Sequence, residues 1–375
     1  MKIAIIDPVG LKAGMNCYDL GLLNGLFQKG NTVYSFSNFK DKNYKDIKQF
    51  SYFLKKKSNL IENILNFVIA HFRAIWIMKK EKVGVTILHV FSTSYTDYFS
   101  FFIIRLFRIK IIAIVHDVNS LCVEDRNFIR EYIYNSATFL VVHNHTSENE
   151  IKPLLNDQNK GKLHVISHGN YIEFIPSITP SSILQSKIHF DKNYKYLLFF
   201  GQIKRVKGLD ILIKSLPYLN GKFKLIIAGL PHRDNFEYYD KLIDDLNLSD
   251  RVVKIIRFIS DDERDYLFKN ADALILPYRK IYQSGVMLLS MSYGLPVVAS
   301  DLPANKEIID NSNGILFEDG NHEDLARKTE ELFSDGNFSQ KKINAFNTAN
   351  TNFSWSGIAA KYLDMLAPKI ITKNA

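Results

Sequence analysis

The chain reads LLFFGQIKRVKGLDILIKSL over residues 197–216, and this stretch predicts a strand, a loop and a helix in direct succession. Tyr196–Phe200 is a continuous apolar run, which is typical of a strand covered on both faces of a parallel sheet. Gly201 and Gly208 bound the loop, and helical spacing of apolar residues begins at Leu209. The succession predicts an α/β architecture.

The same alternation of strands and helices extends along the chain in both directions. Met15–Lys29 and the segment from residue 61 to 76 have helical spacing. Residues 172–196 break the pattern with Pro176, Pro180 and several serines, so they predict an interdomain linker. The other runs predicted as strands are Lys2–Ile6, Thr32–Phe36, Thr86–Phe91, Ile111–Val115, Phe139–His143, Leu163–Ser167, Lys224–Ala228, Val252–Ile256, Ala273–Leu276 and Pro296–Ser300.

The length of the chain, 375 residues, is too great for one ordinary core. Since about 150 residues per domain is usual, we expect two domains, at residues 1–175 and 176–352. Right-handed crossovers place the loops that follow parallel strands at one edge of each sheet, where open α/β sheets bind their ligands. Two such domains would face each other across a cleft.

Composition excludes several classes of protein. Hydrophobic residues make up 46% of the chain and charged residues 23%, which excludes disordered, collagenous and coiled-coil chains. Cys17 and Cys122 are too few for a disulfide framework and lack the spacing of a zinc site. The start, MKIAIIDPVG, is too poor in apolar residues for an export signal, and charged residues such as Glu62 and Arg73 interrupt the apolar stretches. We therefore expect a cytoplasmic protein that does not span a membrane.

Most of the net charge of +9 falls within residues 51–115, which hold ten Lys or Arg, including Lys55, Lys56 and Lys57, against three Asp or Glu. Cationic and apolar side chains are interleaved there, and this favours contact with an anionic membrane surface. An ordinary buried helix with solvated lysines is the alternative. Nucleic acid is not expected as a partner, because the chain has no zinc-finger spacing, RNP-like aromatic motif or basic region before heptads.

Two loops carry residues suited to binding an anion. In residues 201–208, GQIKRVKG, the glycines would let the backbone approach a phosphate and the cations would neutralise a diphosphate. A solvated basic turn is the alternative for this loop. Ser284 is a predicted N-cap, so the amides of Ser284, Gly285 and Val286 would face outward at the start of a helix. An ordinary capped helix is the alternative there.

Residues 197–332 contain, in order, the segments LLFFGQIKRVKGLDILIKSL, LIIAG, ISDDERDYLFKNADALILPYR, QSGVMLLSMSYGLPVVASDLPANKEII and NGILFEDGNHEDLA. In this order they resemble the nucleotide-sugar domain of the family-4 retaining glycosyltransferases, whose GT-B fold has two Rossmann-like parallel-sheet domains facing a cleft. The first half is similar more weakly, through the Gly14-Met15-Asn16 loop, IVHDV at residues 114–118 and VISHGN at residues 165–170. The tail at residues 353–375 contains FSWSGIAAKYLDML, which resembles the helix that crosses back to the first domain in this fold.

The resemblance implies a role for each matching residue. Lys207 would hold the diphosphate, and His116 would meet the donor sugar near the reacting carbon. Gly14 would let the backbone approach the phosphate, and Glu307 would lie near the sugar or the ribose. The remaining donor-binding residues implied by the family are Gly201, Arg205, Gln283, Ser284, Gly285 and Val286.

The chain departs from the family at two places. Many members carry two glutamates eight positions apart, whereas Ile281 and Leu289 occupy the corresponding positions and cannot form hydrogen bonds through their side chains. Gln202 replaces the arginine that follows the first glycine of the loop, with Lys204 or Arg205 as a possible substitute. The chain therefore resembles a variant subgroup with QSG in place of the usual paired-glutamate motif.

The resemblance implies a bacterial glycosyltransferase that moves a sugar, with retention of configuration, from a nucleotide-sugar donor to a lipid-linked or oligosaccharide acceptor. The expected setting is the biosynthesis of cell-surface polysaccharide such as capsule or lipopolysaccharide O-antigen. The protein would be peripheral at the inner face of the cytoplasmic membrane. No metal and no cofactor are expected, because no Asp-x-Asp motif follows a strand and GT-B enzymes work without metal. A non-catalytic GT-B partner of an active transferase and a GT-B nucleotide-sugar epimerase are the alternatives.

Overall fold

A computed structural model describes residues 1–11, 14–54, 59–91, 93–118, 126–177, 188–232, 235–334 and 336–367. Cys122, Pro180 and the basic run Lys55, Lys56 and Lys57 lie outside the described residues. The chain divides into two compact units, of which the first comprises Met1–Gly169 with Phe353–Ala375 and the second comprises Asn170–Asn352.

Each unit is built on a parallel sheet. In the described part of the first unit, seven strands have the order β3-β2-β1-β4-β5-β6-β7, and in the second unit six strands have the order β10-β9-β8-β11-β12-β13. The strands are β1 (Lys2–Asp7), β2 (Thr32–Ser37), β3 (Lys48–Ser51), β4 (Val85–Val90), β5 (Lys110–Val115), β6 (Phe139–Val142), β7 (Leu163–Val165), β8 (Lys195–Phe200), β9 (Phe223–Ala228), β10 (Val252–Ile255), β11 (Ala273–Leu276), β12 (Val297–Ser300) and β13 (Gly314–Phe317).

Helices connect the parallel strands and cover the sheets. The α-helices are α1 (Met15–Gln28), α2 (Leu60–Lys80), α3 (Tyr95–Leu106), α4 (Asn127–Ser136), α5 (His145–Ile151), α6 (Asp157–Lys160), α7 (Leu209–Ser215), α8 (Glu237–Asp245), α9 (Asp261–Asn270), α10 (Gly285–Ser292), α11 (Pro303–Lys306), α12 (His322–Ser334), α13 (Phe338–Asn352) and α14 (Trp355–Leu366). In the first unit β1 has β2 on one side and β4 on the other, and in the second unit β8 lies between β9 and β11. This order makes each sheet doubly wound.

The predicted fold class, two Rossmann-like parallel-sheet domains, is confirmed. The continuous apolar runs are strands because the residues of β4 and of β11 are buried throughout, as both faces of a parallel sheet require. Two strands have no predicted counterpart. In β3 the sequence KQFS is partly exposed at the sheet edge, and in β13 the sequence GILF is too short for a period to show.

The boundary between the units differs from the predicted one at residue 175. It falls between Gly169 and Asn170, because hydrogen bonds tie the segment after Gly169 to the second unit. The side-chain amide of Asn170 donates to the carbonyl of Ala349 at 2.8 Å, and the backbone N–H of Tyr171 donates to Ser292 Oγ at 2.9 Å.

Helix α2 corrects the expectation that charged residues interrupt every long apolar stretch. By length and composition α2 is long and apolar enough to cross a membrane, because Glu62 and Arg73 are the only charged residues between positions 61 and 78. Only 22% of its most apolar 18-residue window is buried. The helix packs on the first unit through a narrow stripe that comprises Ala70, His71, Ala74, Ile75 and Met78.

Helix α14 closes the first unit by packing against α1. Trp355 lies in a slot that exists because three facing residues lack a side chain. A Cβ at Gly21 would lie 2.2 Å from the Trp355 ring, one at Gly169 also 2.2 Å, and one at Gly25 2.5 Å from its carbonyl oxygen. The indole is therefore fixed in the core, with Tyr18 packed edge-on at 5.1 Å between ring centroids.

We expect Trp355→Ala to lower the free energy of unfolding by about 3–5 kcal/mol, since glycines that line the slot offer nothing to fill the cavity. Urea unfolding followed by circular dichroism measures the loss. Trp76→Ala is the matched control, because Trp76 is 64% exposed and an exposed truncation changes stability by no more than about 0.5 kcal/mol. Equal losses in both variants would contradict the packing role of Trp355.

Candidate functional site

The loops predicted to bind an anion leave neighbouring strands of the second sheet. Gly201 follows β8, the segment 283–286 follows β11 and Glu307 comes after β12, and these strands are adjacent in the order β8-β11-β12. Because all three strands are parallel, their carboxyl ends lie at the same edge of the sheet.

Gly201 is the point where two of these loops meet. Its φ of +100° lies in the region that favours glycine. A Cβ there would lie 3.4 Å from Lys207 Nζ and 3.7 Å from Val286 Cγ2, so the residue leaves its backbone open beside both. Gly208 is the N-cap of α7 with a φ of +63°, and a Cβ there would overlap the carbonyl oxygen of Pro277 at 1.9 Å. The two glycines therefore allow the close approach of the loop to its neighbours.

Lys207 carries a positive charge that no acidic side chain in the described part of the chain neutralises. Its ammonium lies 5.3 Å from the centroid of the Tyr278 ring. Burial, followed by repulsion from Lys204, lowers the pKa of Lys207 from 10.5 to about 8. A partly buried ammonium without a counter-ion is costly, and an anion bound beside it would remove that cost.

The segment after β11 forms the N-terminus of α10. Ser284 is the N-cap, because its Oγ accepts a hydrogen bond from the backbone N–H of Met287 at 3.2 Å. A Cβ at Gly285 would lie 2.9 Å from Tyr171 Oη, so no larger residue fits without a shift. Gln283 Oε1 is buried and has no hydrogen-bond partner among the described residues. This start of α10 thus has polar groups available for a ligand.

Two further predicted residues lie on the surface of the second unit. Arg205 is exposed, and its guanidinium lies 5.8 Å from the centroid of the Tyr238 ring. Glu307 is the exposed C-cap of α11. Neither side chain lies within 4 Å of the Cβ position at Gly201, whereas those of Lys207 and Val286 do. Their donor-binding roles stay predictions.

Ile281 and Leu289, at the usual glutamate positions, belong to the apolar core. Leu289 is 7% exposed, and Ile281 packs against the same cluster of buried side chains. Carboxylates would be desolvated there, so hydrophobic residues suit the local packing of this chain.

In the first unit, Gly14 is the N-cap of α1 with a φ of +75°. A Cβ at Gly14 would meet no atom within 4 Å, so the backbone there is accessible. Its predicted approach to a phosphate stays a prediction.

His116 follows β5 and takes part in a buried network. His116 Nε2 lies 2.9 Å from His89 Nδ1, and His89 Nε2 lies 2.8 Å from Asp19 Oδ1. Phe91 stacks on the imidazole of His116 with 4.4 Å between ring centroids and 11° between planes. The carboxylate of Asp7, at the end of β1, accepts backbone hydrogen bonds from residues 9 and 10 at 2.8 and 2.9 Å. Four side chains from three strand ends and α1 are thus held together.

Burial decides the charges of this network. Desolvation lowers the pKa of His89 to about 4 and, with repulsion from other histidines, holds the pKa of His116 well below its usual value. Both imidazoles are therefore neutral at pH 7. Desolvation also raises the pKa of Asp19, and it raises that of Asp7 together with repulsion from Asp19. The adjacent carboxyl groups therefore favour sharing a proton over carrying two charges.

Asp7, Asp19 and His89 are also close enough to be considered as metal ligands, since their candidate ligand atoms lie within 4.8 Å of one another. The hydrogen bond between His89 and Asp19 satisfies His89 Nε2 and Asp19 Oδ1 without an ion, whereas Asp19 Oδ2 has no partner among the described residues. Metal-free action stays a prediction.

The sequence predicted a role for His116 but none for Asp7, Asp19 and His89, which the structure places beside it. The available signal was a polar residue inside an apolar element. Asp19 precedes Leu20 inside an apolar helix, and His89 interrupts an apolar strand. No local motif shows these contacts, because His89 is 27 residues from His116 and 70 residues from Asp19 in the sequence.

Comparison with known proteins gives the context of these two clusters. Residues 181–348 match the family model described as Glycosyl transferases group 1. The match falls within the second unit and includes both Gly201 and Lys207.

Curated relatives are similar over about half of the chain. An uncharacterized glycosyltransferase of Methanocaldococcus jannaschii is 29% identical over 193 residues, or 48% of each chain. The lipopolysaccharide core biosynthesis glycosyltransferase LpsE of Rhizobium meliloti is 26% identical over 49% of this chain and 53% of its own length. The chain thus spans about half the length of these relatives. Among solved structures, HepE of Anabaena in complex with UDP superimposes with a TM-score of 0.72 at 17% identity, covering 98% of this chain and 99% of that one. This likeness agrees with the GT-B fold.

We expect Lys207→Met to raise the free energy of unfolding of the ligand-free protein at pH 7. The folded pKa of Lys207 lies below its unfolded value, so the fold disfavours the charged form, and wild-type stability should rise as the pH increases from about 8 towards 10.5. Urea unfolding at pH 7 and pH 10 measures both effects. Lys214 on α7 is exposed, and Lys214→Met is the control variant. It should leave the free energy of unfolding at pH 7 and its rise with pH unchanged. A destabilised Lys207→Met protein would contradict the lack of a counter-ion.

Proposed function

We propose that the protein is a retaining glycosyltransferase of the variant family-4 subgroup, which transfers a sugar from a nucleoside diphosphate sugar without a metal ion. The observation that carries this proposal is Lys207, a partly buried ammonium with no acidic partner in the described residues, beside the open backbone of Gly201. A diphosphate supplies the charge that this position lacks.

The residues around Lys207 support departure of the diphosphate. In the transition state, negative charge grows on the phosphate oxygens as the bond to the sugar breaks. Lys207 neutralises this charge, and the N-terminus of α10 at Gly285 and Val286 adds amide donors and the positive end of the helix dipole. The groups are fixed before the reaction, so they stabilise the charge without reorganising. His116 contacts the transferred sugar.

One solved structure and two relatives support the substrate class that we propose. HepE of Anabaena has been solved with UDP, which makes uridine the first base to test. LpsE acts in lipopolysaccharide core biosynthesis, and a relative from Xanthomonas campestris, 24% identical over 39% of each chain, is a GDP-mannose:glycolipid mannosyltransferase. We therefore propose a lipid-linked or oligosaccharide acceptor, with capsule or lipopolysaccharide assembly as the setting.

We expect one nucleoside diphosphate and its sugars to raise the melting temperature selectively in a metal-free titration with the uridine, guanosine, adenosine and thymidine compounds. A ligand at 100 times its Kd stabilises the folded state by about 2.7 kcal/mol. Lys207→Ala should abolish the rise, and the exposed control Lys214→Ala should preserve it.

Failure of every nucleotide to stabilise the protein would contradict the transferase and favour a non-catalytic partner of an active transferase. Conversion of the sugar nucleotide into an epimer without any acceptor would favour the epimerase alternative.

The proposed location is the inner face of the cytoplasmic membrane, with α2 as the contact surface. Side chains on its outer face are large and exposed, from Leu60 at 76% to Trp76 at 64%. The last turn of α2 carries Lys79 and Lys80. An apolar face that ends in cations fits the boundary between acyl chains and anionic headgroups. The other exposed apolar residues of α2 are Ile61, Ile64, Leu65, Ile69 and Phe72.

The attachment of α2 favours a helix lying in the membrane surface over one that crosses the membrane. His71 and Met78 pack on the body of the first unit, and His71 Nδ1 donates to the carbonyl of Phe67 at 2.9 Å within the helix. A crossing would require these buried contacts to separate. Lys80 lies 5.2 Å from the centroid of the Trp76 ring, so cation and aromatic side chain approach the surface together.

We expect Trp76 fluorescence to shift to shorter wavelength with phosphatidylglycerol vesicles and to change little with phosphatidylcholine vesicles. The other tryptophan, Trp355, is 6% exposed and should not respond. The double variant Ile64→Asp/Leu65→Asp should weaken vesicle binding at least about tenfold, because each buried methylene contributes about 0.8 kcal/mol. Phe258→Asp, at an exposed position on the second unit, is the control. Unchanged binding of the double variant would remove α2 as the contact.

A further inference from the structure

The first unit contains a chain of hydrogen bonds that runs from a buried carboxyl pair to His116. Asp19 comes from α1, His89 from β4 and His116 from the end of β5. The side chains of His89 and Asp19 are 2% and 0% exposed. The chain lies where β1 and β4 leave the sheet in opposite winding directions, which is where doubly wound sheets bind ligands. The position of this chain of hydrogen bonds therefore suits a role in binding the polar groups of a ligand.

The carboxyl groups of Asp7 and Asp19 determine where the first proton of this network lies. Both oxygens of Asp7 accept backbone N–H groups, which favours a negative charge on Asp7. Asp19 Oδ2 is buried and has no hydrogen-bond partner among the described residues, and a carboxyl oxygen of Asp19 lies within 4.8 Å of one of Asp7. A hydrogen bond between the two carboxyl groups can form only if one of them carries a proton. A proton on Asp19 Oδ2 satisfies both groups and leaves Asp19 Oδ1 as an acceptor.

The positions of the remaining protons follow because each neutral imidazole carries a single N–H group. His89 Nε2 must donate to Asp19 Oδ1, which lies 2.8 Å away. A neutral imidazole carries one N–H, so His89 Nδ1 is bare and accepts from His116 Nε2 at 2.9 Å. His116 is also neutral, so its Nδ1 is bare and has no hydrogen-bond partner in the described part of the chain. The stack on Phe91 fixes the plane of the ring.

We propose that Asp19 and His89 are positioning residues that hold His116 in the Nε2–H tautomer, so that its Nδ1 accepts a hydrogen bond from a hydroxyl of the transferred sugar. The contact with sugar rests on the proposed function, whereas the tautomer is a property of the first unit alone. The opposite direction of donation would make His116 Nδ1 a donor instead. The carboxyl pair thus determines which hydrogen-bonding group a sugar meets.

The ¹⁵N spectrum of the imidazole nitrogens tests the tautomer in the full chain without any substrate, because a protonated nitrogen and a bare one resonate far apart. His116→Gln and His89→Phe assign the signals. We expect both His89 and His116 to carry the proton on Nε2 at pH 7. A proton on His116 Nδ1, or a mixture of tautomers in the wild-type protein, would overturn the proposal.

Two substitutions of Asp19 separate the proton arrangement from simple packing. Asp19→Asn presents an oxygen to His89 and an N–H group to Asp7, so it should keep His116 as the Nε2–H tautomer. Asp19→Leu, of similar volume, removes the acceptor and should release His116 into a mixture. Loss of the tautomer in Asp19→Asn would show that the network needs an ionised Asp19. A shift of these signals on adding Mn²⁺ or Zn²⁺ to wild-type protein would indicate a metal site and also overturn the proposal.

Turnover provides the functional readout, measured as release of UDP from UDP-glucose, or of the diphosphate from whichever sugar nucleotide stabilises the protein. His89→Phe should lower kcat about tenfold, the effect of one lost hydrogen bond, and change the donor KM less than about threefold. His71→Phe is the control, because His71 is a buried neutral histidine of α2 outside the network. An unchanged kcat in folded His89→Phe would overturn the positioning role even where the tautomer is confirmed. Absence of turnover in wild-type protein would count against the proposed function alone, since the spectrum still decides the tautomer.

Discussion

The cost of placing charge at the carboxyl ends of buried parallel strands governs both candidate clusters, the one around Lys207 and the one around His116. Parallel strands covered on both faces leave their loops at one edge as the place for polar chemistry, and groups there are partly removed from water. In the second unit the consequence is Lys207, whose ammonium has no counter-ion among the described residues and whose pKa is lowered. In the first unit the consequence is the Asp7 and Asp19 pair, whose pKa values are raised. One cluster therefore favours an incoming anion, and the other retains a proton.

The two clusters respond to desolvation in different ways. Lys207 is at a loop in which Gly201 leaves the backbone open beside the ammonium, so a ligand can supply the missing charge. Asp19 and His89 are closed off, so they must satisfy one another through shared protons. That closure makes a hydrogen-bond direction at His116 depend on a carboxyl group two side chains away.

Much of the fold could be predicted because the strands of a doubly wound sheet are continuous apolar runs, as in β4 and β11. The strand β3 was missed because an edge strand is partly exposed and needs no such run. The exposed face of α2 was also missed, since spacing predicts which residues share a face but not whether anything covers that face. Lys207 was predicted from a local motif. Asp19 and His89 were not, because their chemistry comes from contact across 70 residues of sequence.

The slot around Trp355 has a consequence for the order in which the chain can fold during synthesis. The first unit begins at the N-terminus, yet α14 supplies part of its core from beyond the whole second unit. Until residues 353–366 leave the ribosome, the gap left by Gly21, Gly25 and Gly169 has no indole to fill it. The second unit is contiguous in sequence and needs no later segment. Of these two units, the one that comes first in the sequence is therefore completed last.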